Sequence, residues 1–352
     1  MTIAFDNDWP IQDCERISTC PYCDSSQREI AFDGVRDWSF HCAPGKWTYW
    51  NCAFCDALYL DPRPTEASIG AAYATYYTHG ELRSNQFTNM KQRLRNECLS
   101  YSFNADFKPR LGLPPVFKLT ISCVAKYVRI PFGWSWLASA PKGKFIDVGC
   151  GEGLTVEWAK QLGWDAMGVE IDPAAVAAAR RKNLHVIEGT YAALSSFPTQ
   201  FDCIVCAHVL EHVHAPLELL QMLRNALAPG GILLLTLPNA SSALRRYFGA
   251  NWRGLEAPRH ISIPSERYLK ELLESFQFHV ESYADNLMPT AAESYRIQRR
   301  SLHTARDDKR RARLLNIVPL DTPYGNDFIK FACTARASDS MPKSRIHFLA
   351  AL

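Results

Sequence analysis

KFIDVGCGEG, Lys144 to Gly153, is the stretch from which the fold is read. Phe145 to Val148 suit a buried strand, Gly149, Gly151 and Gly153 follow at alternate positions, and the apolar-periodic run from Leu154 to Leu162 reads as a helix. Glycine suits such a turn because a Cβ would obstruct a ligand approaching the backbone. The free N–H groups of the first helical turn then present an electropositive end to a carboxylate or phosphate. Outward from this turn, DAMGVE (Asp165 to Glu170) is the next strand. It ends on an acidic residue at about the distance where a carboxylate meets ribose hydroxyls in a nucleotide-binding βαβ unit.

The spacing narrows the ligand. A dinucleotide fold wants G-x-G-x-x-G, which would need glycine at Leu154; this chain has G-x-G-x-G, with no third glycine to open room for a pyrophosphate. Here the sequence resembles the class I S-adenosylmethionine (SAM)-dependent methyltransferases. DVGCGEG (Asp147 to Gly153) is similar to their first motif and GVEID (Gly168 to Asp172) to the second. FDCIVCAHVLEHV (Phe201 to Val213) is similar to their fourth strand and the turn behind it, and LAPGGILLLTLPN (Leu227 to Asn239) to the fifth. The likeness extends from about Lys142 to Ala337. It implies an α/β fold: a seven-stranded Rossmann-like class I methyltransferase sheet, helices on both faces, with an antiparallel last strand. It also implies SAM as cofactor, held by Asp147, Gly149, Gly151, Gly153, Glu170, Thr190 and Ala207. Many relatives carry an acidic residue where Thr190 stands, to accept from the adenine amino group, so that contact is expected to fall to backbone groups or the threonine hydroxyl.

The composition sets bounds. At 352 residues the chain can hold two or three domains, and 39 basic against 36 acidic side chains argue against an obligate polyanion binder. Met1 to Pro10 lacks the basic and apolar regions of a signal peptide. The most apolar long stretch, Leu113 to Ala140, carries Lys118, Lys126 and Arg129, so no transmembrane segment is expected. Twelve cysteines without a secretory signal point to a reducing, cytoplasmic setting, where paired cysteines hold metal more often than they form disulfides.

Cys20-Pro-Tyr-Cys23 and Cys52-Ala-Phe-Cys55 are two C-x2-C knuckles with 28 residues between them. Each can wrap one side of a tetrahedral ion, and four thiolates close the shell, so the expected Zn2+ is structural. A third pair, Cys203 and Cys206, lies in a strand where residues three apart face opposite ways, and is not counted with them. YLDPRPTEASIGAAYATYYTHG (Tyr59 to Gly80) resembles the segment after the second knuckle in a group of bacterial methyltransferases with an N-terminal zinc ribbon. Tyr73, Tyr76 and Tyr77 are its second-rank site candidates. The expected organisation is a zinc ribbon over 1–65, a helical linker or substrate cover over 66–141, the methyltransferase core over 142–338 and a tail over 339–352.

Candidate chemistry gathers after strand four. Ala207-His208 ends that strand, next to where the resemblance puts the sulfonium, and Glu211-His212 follow on the turn. FGANWRGLEAPRHISIPS adds Trp252, Arg259 and His260, in a W…P-R-H segment that recurs near the active-site mouth of the zinc-ribbon group. His208, His212, His260 and Arg259 are therefore the catalytic candidates, with a histidine as base for an acceptor hydroxyl. An alternative stays open. In ubiquinone-pathway and small-RNA 2′-O-methyltransferases an E-x-x-E-H turn, in the latter with a later histidine, holds a divalent metal. Here His208 replaces the first glutamate, which suits a borderline metal better than Mg2+. Tyr295 to Arg313 is arginine-rich, either a solvated helix face or a basic rim for an acidic substrate such as a nucleotide-linked sugar.

The functional expectation is O-methylation of a sugar or other small polar metabolite in glycan or natural-product assembly. C-methylation of a keto-sugar, 2′-O-methylation of RNA and a SAM-binding scaffold without turnover are the alternatives. The near-neutral charge and the absence of a basic-aromatic stripe argue against RNA, whose affinity is dominated by phosphate contacts. Acceptor and oligomeric state are not encoded in any motif.

Overall fold

The computed structural model describes residues 8–73, 86–103, 107–114, 134–198, 200–283, 288–304 and 327–335. Tyr76 and Tyr77, the arginine-rich stretch beyond 304, much of the expected linker and the expected tail lie outside them. The N-terminal part contains β1 (Cys14–Glu15), β2 (Arg28–Val35), β3 (Trp47–Cys52), β4 (Leu58–Leu60) and β5 (Arg63–Pro64), followed by the helices α1 (Gln86–Phe103) and α2 (Trp134–Ser139). Strand and helix then alternate through β6 (Lys144–Val148), α3 (Leu154–Gln161), β7 (Asp165–Glu170), α4 (Pro173–Arg181), β8 (His185–Glu188), β9 (Phe201–Ala207), α5 (Pro216–Ala226) and β10 (Leu227–Pro238). After α6 (Ala243–Phe248) come β11 (Ser262–Ile263), α7 (Glu266–Ser275), β12 (Phe278–Ser282), α8 (Met288–Thr304) and β13 (Phe328–Ala335).

Seven strands form one sheet in the order β12-β13-β10-β9-β6-β7-β8, and β6, at its interior, runs parallel to both β7 and β9. Phe145, Ile146 and Val148 are buried, as a strand covered on both faces requires. The helices start where the sequence marks them: Pro173 opens α4 and the Asp172 side chain caps it, accepting from Ala174 N at 2.8 Å. β10 begins at Leu227 and runs through Pro229-Gly230-Gly231, with a φ of +71° at Gly230. A Cβ on Gly231 would come 2.7 Å from the Phe201 carbonyl oxygen, so the close approach of backbone, not a loop, asks for glycine there.

The chain divides into two compact units: residues 1–77, 207–221 and 235–331 make one, and 78–206, 222–234 and 332–352 the other. The first contains a four-stranded sheet in the order β11-β4-β3-β2, with β11 antiparallel to β4. Its core joins Trp47, Tyr49, Leu58 and Leu60 to Leu244, Phe248, Trp252, Leu255 and Ile261. Residues far apart in sequence thus share one apolar interior. In the second unit, Cys150, Val156, Val176, Ala179, Leu184 and Val186 pack α3 and α4 on the strands beside the glycine turn. Among the described residues no helix is long and apolar enough to cross a membrane.

Candidate functional site

The glycine turn between β6 and α3 has its three glycines at positive φ: +73° at Gly149, +53° at Gly151 and +79° at Gly153. L-residues avoid that region, so the turn's shape requires glycine. The two later glycines do different work. A Cβ on Gly153 would lie 2.6 Å from Leu184 Cδ1, so packing excludes it, whereas one on Gly151 would meet nothing within 4 Å. Open space beside Gly151 is what a ligand lying against the backbone needs. The first N–H groups of α3 receive no side-chain cap, which leaves donors for an anionic group.

Two carboxylates flank this space. Glu170 Oε2 accepts from Gly151 N at 2.7 Å and Oε1 from Asp172 N at 3.0 Å, so one side chain ties the glycine turn to the turn after β7. Each oxygen keeps a second lone pair for a ligand hydroxyl. Ile171, next in sequence, is 67% exposed and offers an apolar surface beside that carboxylate; its exposure could not be read from sequence. Asp147 is buried, and burial pushes its pKa up to about 8 despite a hydrogen bond with Thr155, the charge of Glu170 adding to the rise. Thr190 caps the short 3-10 helix Tyr191–Ser196, its hydroxyl accepting from Ala192 N at 3.2 Å. Ala207 is the last residue of β9. Turn, carboxylates and apolar neighbour together fit a ligand with a ribose and charged groups, as SAM has.

In the other unit four side chains from two segments converge. His208 has a φ of +58°, unusual for a non-glycine residue, and its backbone N–H donates to Thr236 O at 2.7 Å. This conformation turns the chain sharply at the end of β9 and leaves the side chain 49% exposed. Its Nδ1–H donates to Oε1 of Glu211, a fully buried carboxylate, at 3.2 Å. Burial works against the imidazolium, but the hydrogen bond and charge of Glu211 outweigh it and hold the His208 pKa above its ordinary value. In Glu211 the same bond, with the neighbouring imidazoles, overcomes burial and lowers its pKa. The other oxygen, Oε2, is buried and has no hydrogen-bond partner among the described residues.

His212 and His260 face that carboxylate, their rings 4.6 Å apart edge to face, and one donor atom from each of Glu211, His212 and His260 lies within 4.8 Å of the others. Nδ1 of His212 is 3.0 Å from Arg259 O and Nδ1 of His260 is 2.7 Å from Gly254 O. Carbonyls only accept, so each Nδ1 carries a proton. Burial pushes the His260 pKa down to about 4, so its imidazole is neutral near pH 7. Tyr73 OH lies 2.9 Å from His212 Nδ1, which brings one of the second-rank tyrosines to the cluster.

Arg259, grouped with the histidines on sequence grounds, sits apart in role. It is fully buried, its NH2 2.7 Å from Asp37 Oδ1 and its Nε 3.2 Å from Glu256 Oε1, and it also donates to Ala72 O. Those contacts join the β2–β3 loop, the 3-10 helix Ile69–Tyr73 and the segment before β11. No sequence signal pairs Asp37 with a residue 222 positions away. At the N-terminus, Cys20 Sγ lies 3.5 Å from Cys55 Sγ and Cys23 Sγ 3.4 Å from Cys52 Sγ, and sulfurs of all four lie within 4.8 Å of one another. Zn–S bonds of about 2.3 Å give tetrahedral edges of about 3.8 Å, close to the two spacings of 3.4 and 3.5 Å, which are a little shorter.

Residues 132–283 match the family described as "Methyltransferase domain". The matched segment is less than half of the chain. The ubiquinone biosynthesis O-methyltransferase of Xanthomonas campestris pv. campestris is 31% identical over 110 residues, covering 29% of this chain and 46% of the relative. A mitochondrial ubiquinone biosynthesis O-methyltransferase from Schizosaccharomyces pombe is 33% identical over 102 residues, 26% of this chain and 37% of that protein. The chain thus spans less than half the length of these curated relatives. Among solved structures, the YcgJ protein from Bacillus subtilis is 16% identical, covers 58% of this chain and 98% of its own, and superimposes with a TM-score of 0.44. Both the glycine turn and the His208–Glu211–His212 turn fall inside the matched methyltransferase domain, and the four cysteines fall outside it.

Proposed function

We propose that this chain is a SAM-dependent methyltransferase acting on a hydroxyl of a small polar acceptor, with His208 as the proton acceptor. The observation that carries this reading is the His208–Glu211 pair, in which a buried carboxylate fixes Nδ1–H and leaves Nε2 of a half-exposed imidazole as a base. SAM, when bound, supplies a methyl group on a sulfonium that departs as a neutral thioether. Gly149, Gly151 and the uncapped N–H groups of α3 would hold its amino-acid end, Glu170 its ribose hydroxyls and Ile171 its base. His208 Nε2 would take the proton of an acceptor hydroxyl, and Glu211 would stabilise the imidazolium. Alignment contributes about 7–11 kcal/mol of such a barrier and positioned proton removal about 10²–10⁴-fold. Arg259 is a positioning residue in this scheme. The O-methyltransferase names of the curated relatives and the resemblance to zinc-ribbon glycan enzymes support a hydroxyl acceptor, with a sugar as the favoured class. The four N-terminal cysteines would hold one structural Zn2+.

A specific observation favours a second mechanism on the same residues. Glu211, whose Oε2 has no hydrogen-bond partner among the described residues, offers a carboxylate oxygen within 4.8 Å of a ring nitrogen of His212 and one of His260, a carboxylate–two-imidazole set that would fit a borderline divalent ion better than Mg2+. Such an ion would polarise the acceptor hydroxyl. Labelled SAM offered with a panel of hydroxylated sugars and nucleotide sugars tests the reading. His208→Ala should lower turnover by about 10²–10⁴-fold with affinity for S-adenosylhomocysteine (SAH) unchanged. Turnover within a few-fold of wild type in His208→Ala, His212→Ala and His260→Ala would defeat both mechanisms. Loss on chelation with return on one particular ion would select the metal.

A further inference from the structure

Cysteine-knuckle modules are commonly read as surfaces for a partner, but here the module's contacts run inward. Its four-stranded sheet is completed by β11, whose Ser262 and Ile263 pair with Tyr59 and Leu58. Leu60 N donates to Ile261 O at 3.0 Å, and Ile261 N donates to Glu211 O at 2.9 Å. The segment between the two, His260-Ile261, is thereby stitched on one side to the module and on the other to the turn that carries Glu211. Two tyrosines complete the attachment. Tyr22 lies inside the first knuckle, between Cys20 and Cys23, and its hydroxyl is 3.4 Å from Ser262 O and 3.2 Å from Ser262 Oγ. Tyr49, on β3, places a fully buried hydroxyl 2.5 Å from Leu255 O and 2.7 Å from His260 O. From the second knuckle, Cys55 O accepts from Ser265 Oγ at 2.6 Å. The Arg259–Asp37 ion pair adds a buried, charged tie between the β2–β3 loop and the residue before His260.

We propose that the four-cysteine module is an internal brace, and that Tyr22 and Tyr49 are positioning residues that hold His260 in register with Glu211 and His212. This rests on the reading of that cluster as the place where the acceptor hydroxyl is activated, by base or by metal. The logic is geometric. His260 donates Nδ1–H to Gly254 O, six residues back in the same loop, so its ring orientation depends on the loop's shape, and that shape is anchored by the Tyr49 hydroxyl at both Leu255 and His260. Removing that hydroxyl takes away the donor that the two carbonyls share. The loop then gains freedom to find water or new partners, and the single imidazole tautomer is lost.

Tyr49→Phe and Tyr22→Phe remove one oxygen each and keep the rings in the core. In the full chain labelled with ¹⁵N-histidine, long-range ¹H–¹⁵N spectra report the tautomer of each imidazole, and amide hydrogen exchange reports Ile261. Wild type should show His260 as a single Nδ1–H tautomer with a protected Ile261 amide. Tyr49→Phe should mix the tautomers and speed Ile261 exchange at least tenfold; Tyr22→Phe should move both in the same direction by less. The dissociation constant for SAH should stay within twofold in both variants, because the glycine turn belongs to the other unit. A single unchanged His260 tautomer and Ile261 exchange within twofold of wild type in both variants would overturn the brace. Failure of wild type to bind SAH would remove the methyltransferase reading instead, while tautomer and exchange still judge the brace.

Discussion

Glu170→Ala separates the ribose-binding reading of the second motif from a merely structural one. In the ligand-free protein Glu170 holds two backbone amides, Gly151 N at 2.7 Å and Asp172 N at 3.0 Å. The side chain is only partly buried, so water can replace it, and the two bonds together are worth about 1–3 kcal/mol of stability. Removing the anion should also take away the acceptor for two ribose hydroxyls, at about 1.5–3 kcal/mol for hydrogen bonds to a charged group. At 1.4 kcal/mol per decade that is roughly a 10–150-fold weaker dissociation constant for SAH. Part of the loss comes indirectly, because the Gly151 N–H is no longer held and the turn must be ordered on binding. Glu170→Gln distinguishes the parts: its amide oxygen can keep one anchor but carries no charge, so its affinity should fall between wild type and alanine. Titration calorimetry with SAH measures affinity, and a thermal melt of the free proteins measures stability. If alanine weakens stability as expected but leaves SAH affinity within twofold, Glu170 ties turns together and does not bind cofactor, and the assignment is wrong.

Three other outcomes follow from the same contacts. Asp147 has a folded pKa of about 8 against an ordinary 3.8, so the folded state binds the extra proton between those values and loses stability as pH rises through the window. Asp147→Asn, which cannot ionise, should therefore gain on wild type by up to about 1.4 kcal/mol per pH unit across it, and parallel denaturation-against-pH curves would refute the buried-carboxyl argument. Arg259→Leu leaves Asp37 buried without its cation and should cost about 3–5 kcal/mol in urea melts, with SAH affinity retained; a melt unchanged within 1 kcal/mol would contradict a fully buried pair. Protein purified without chelators should carry one zinc per chain, and Cys23→Ser should lose it and destabilise the N-terminal module; metal analysis finding none would rule out the thiolate site.

The sequence by itself determined the elements whose signals are local. A buried apolar strand running into alternate glycines can make few shapes, so β6, the turn and α3 were legible, as were the carboxylate ending β7 and the Asp172-Pro173 start of α4. Two C-x2-C knuckles likewise predict that four sulfurs meet, because each knuckle fixes two of them within a few residues. The candidate histidines could be named but not arranged. That His208 hydrogen-bonds to Glu211 while His212 and His260 lie beside the same carboxylate depends on a left-handed residue after β9 and on a segment returning some fifty positions later. That Arg259 is consumed by Asp37, and that β11 completes the N-terminal sheet, depend on pairings across about two hundred residues. Periodicity and spacing register only what neighbours along the chain do. Which distant strand edge meets which, and which charge is buried against which, is decided when apolar faces close over one interior, and the free energy of that closure belongs to no single stretch of sequence.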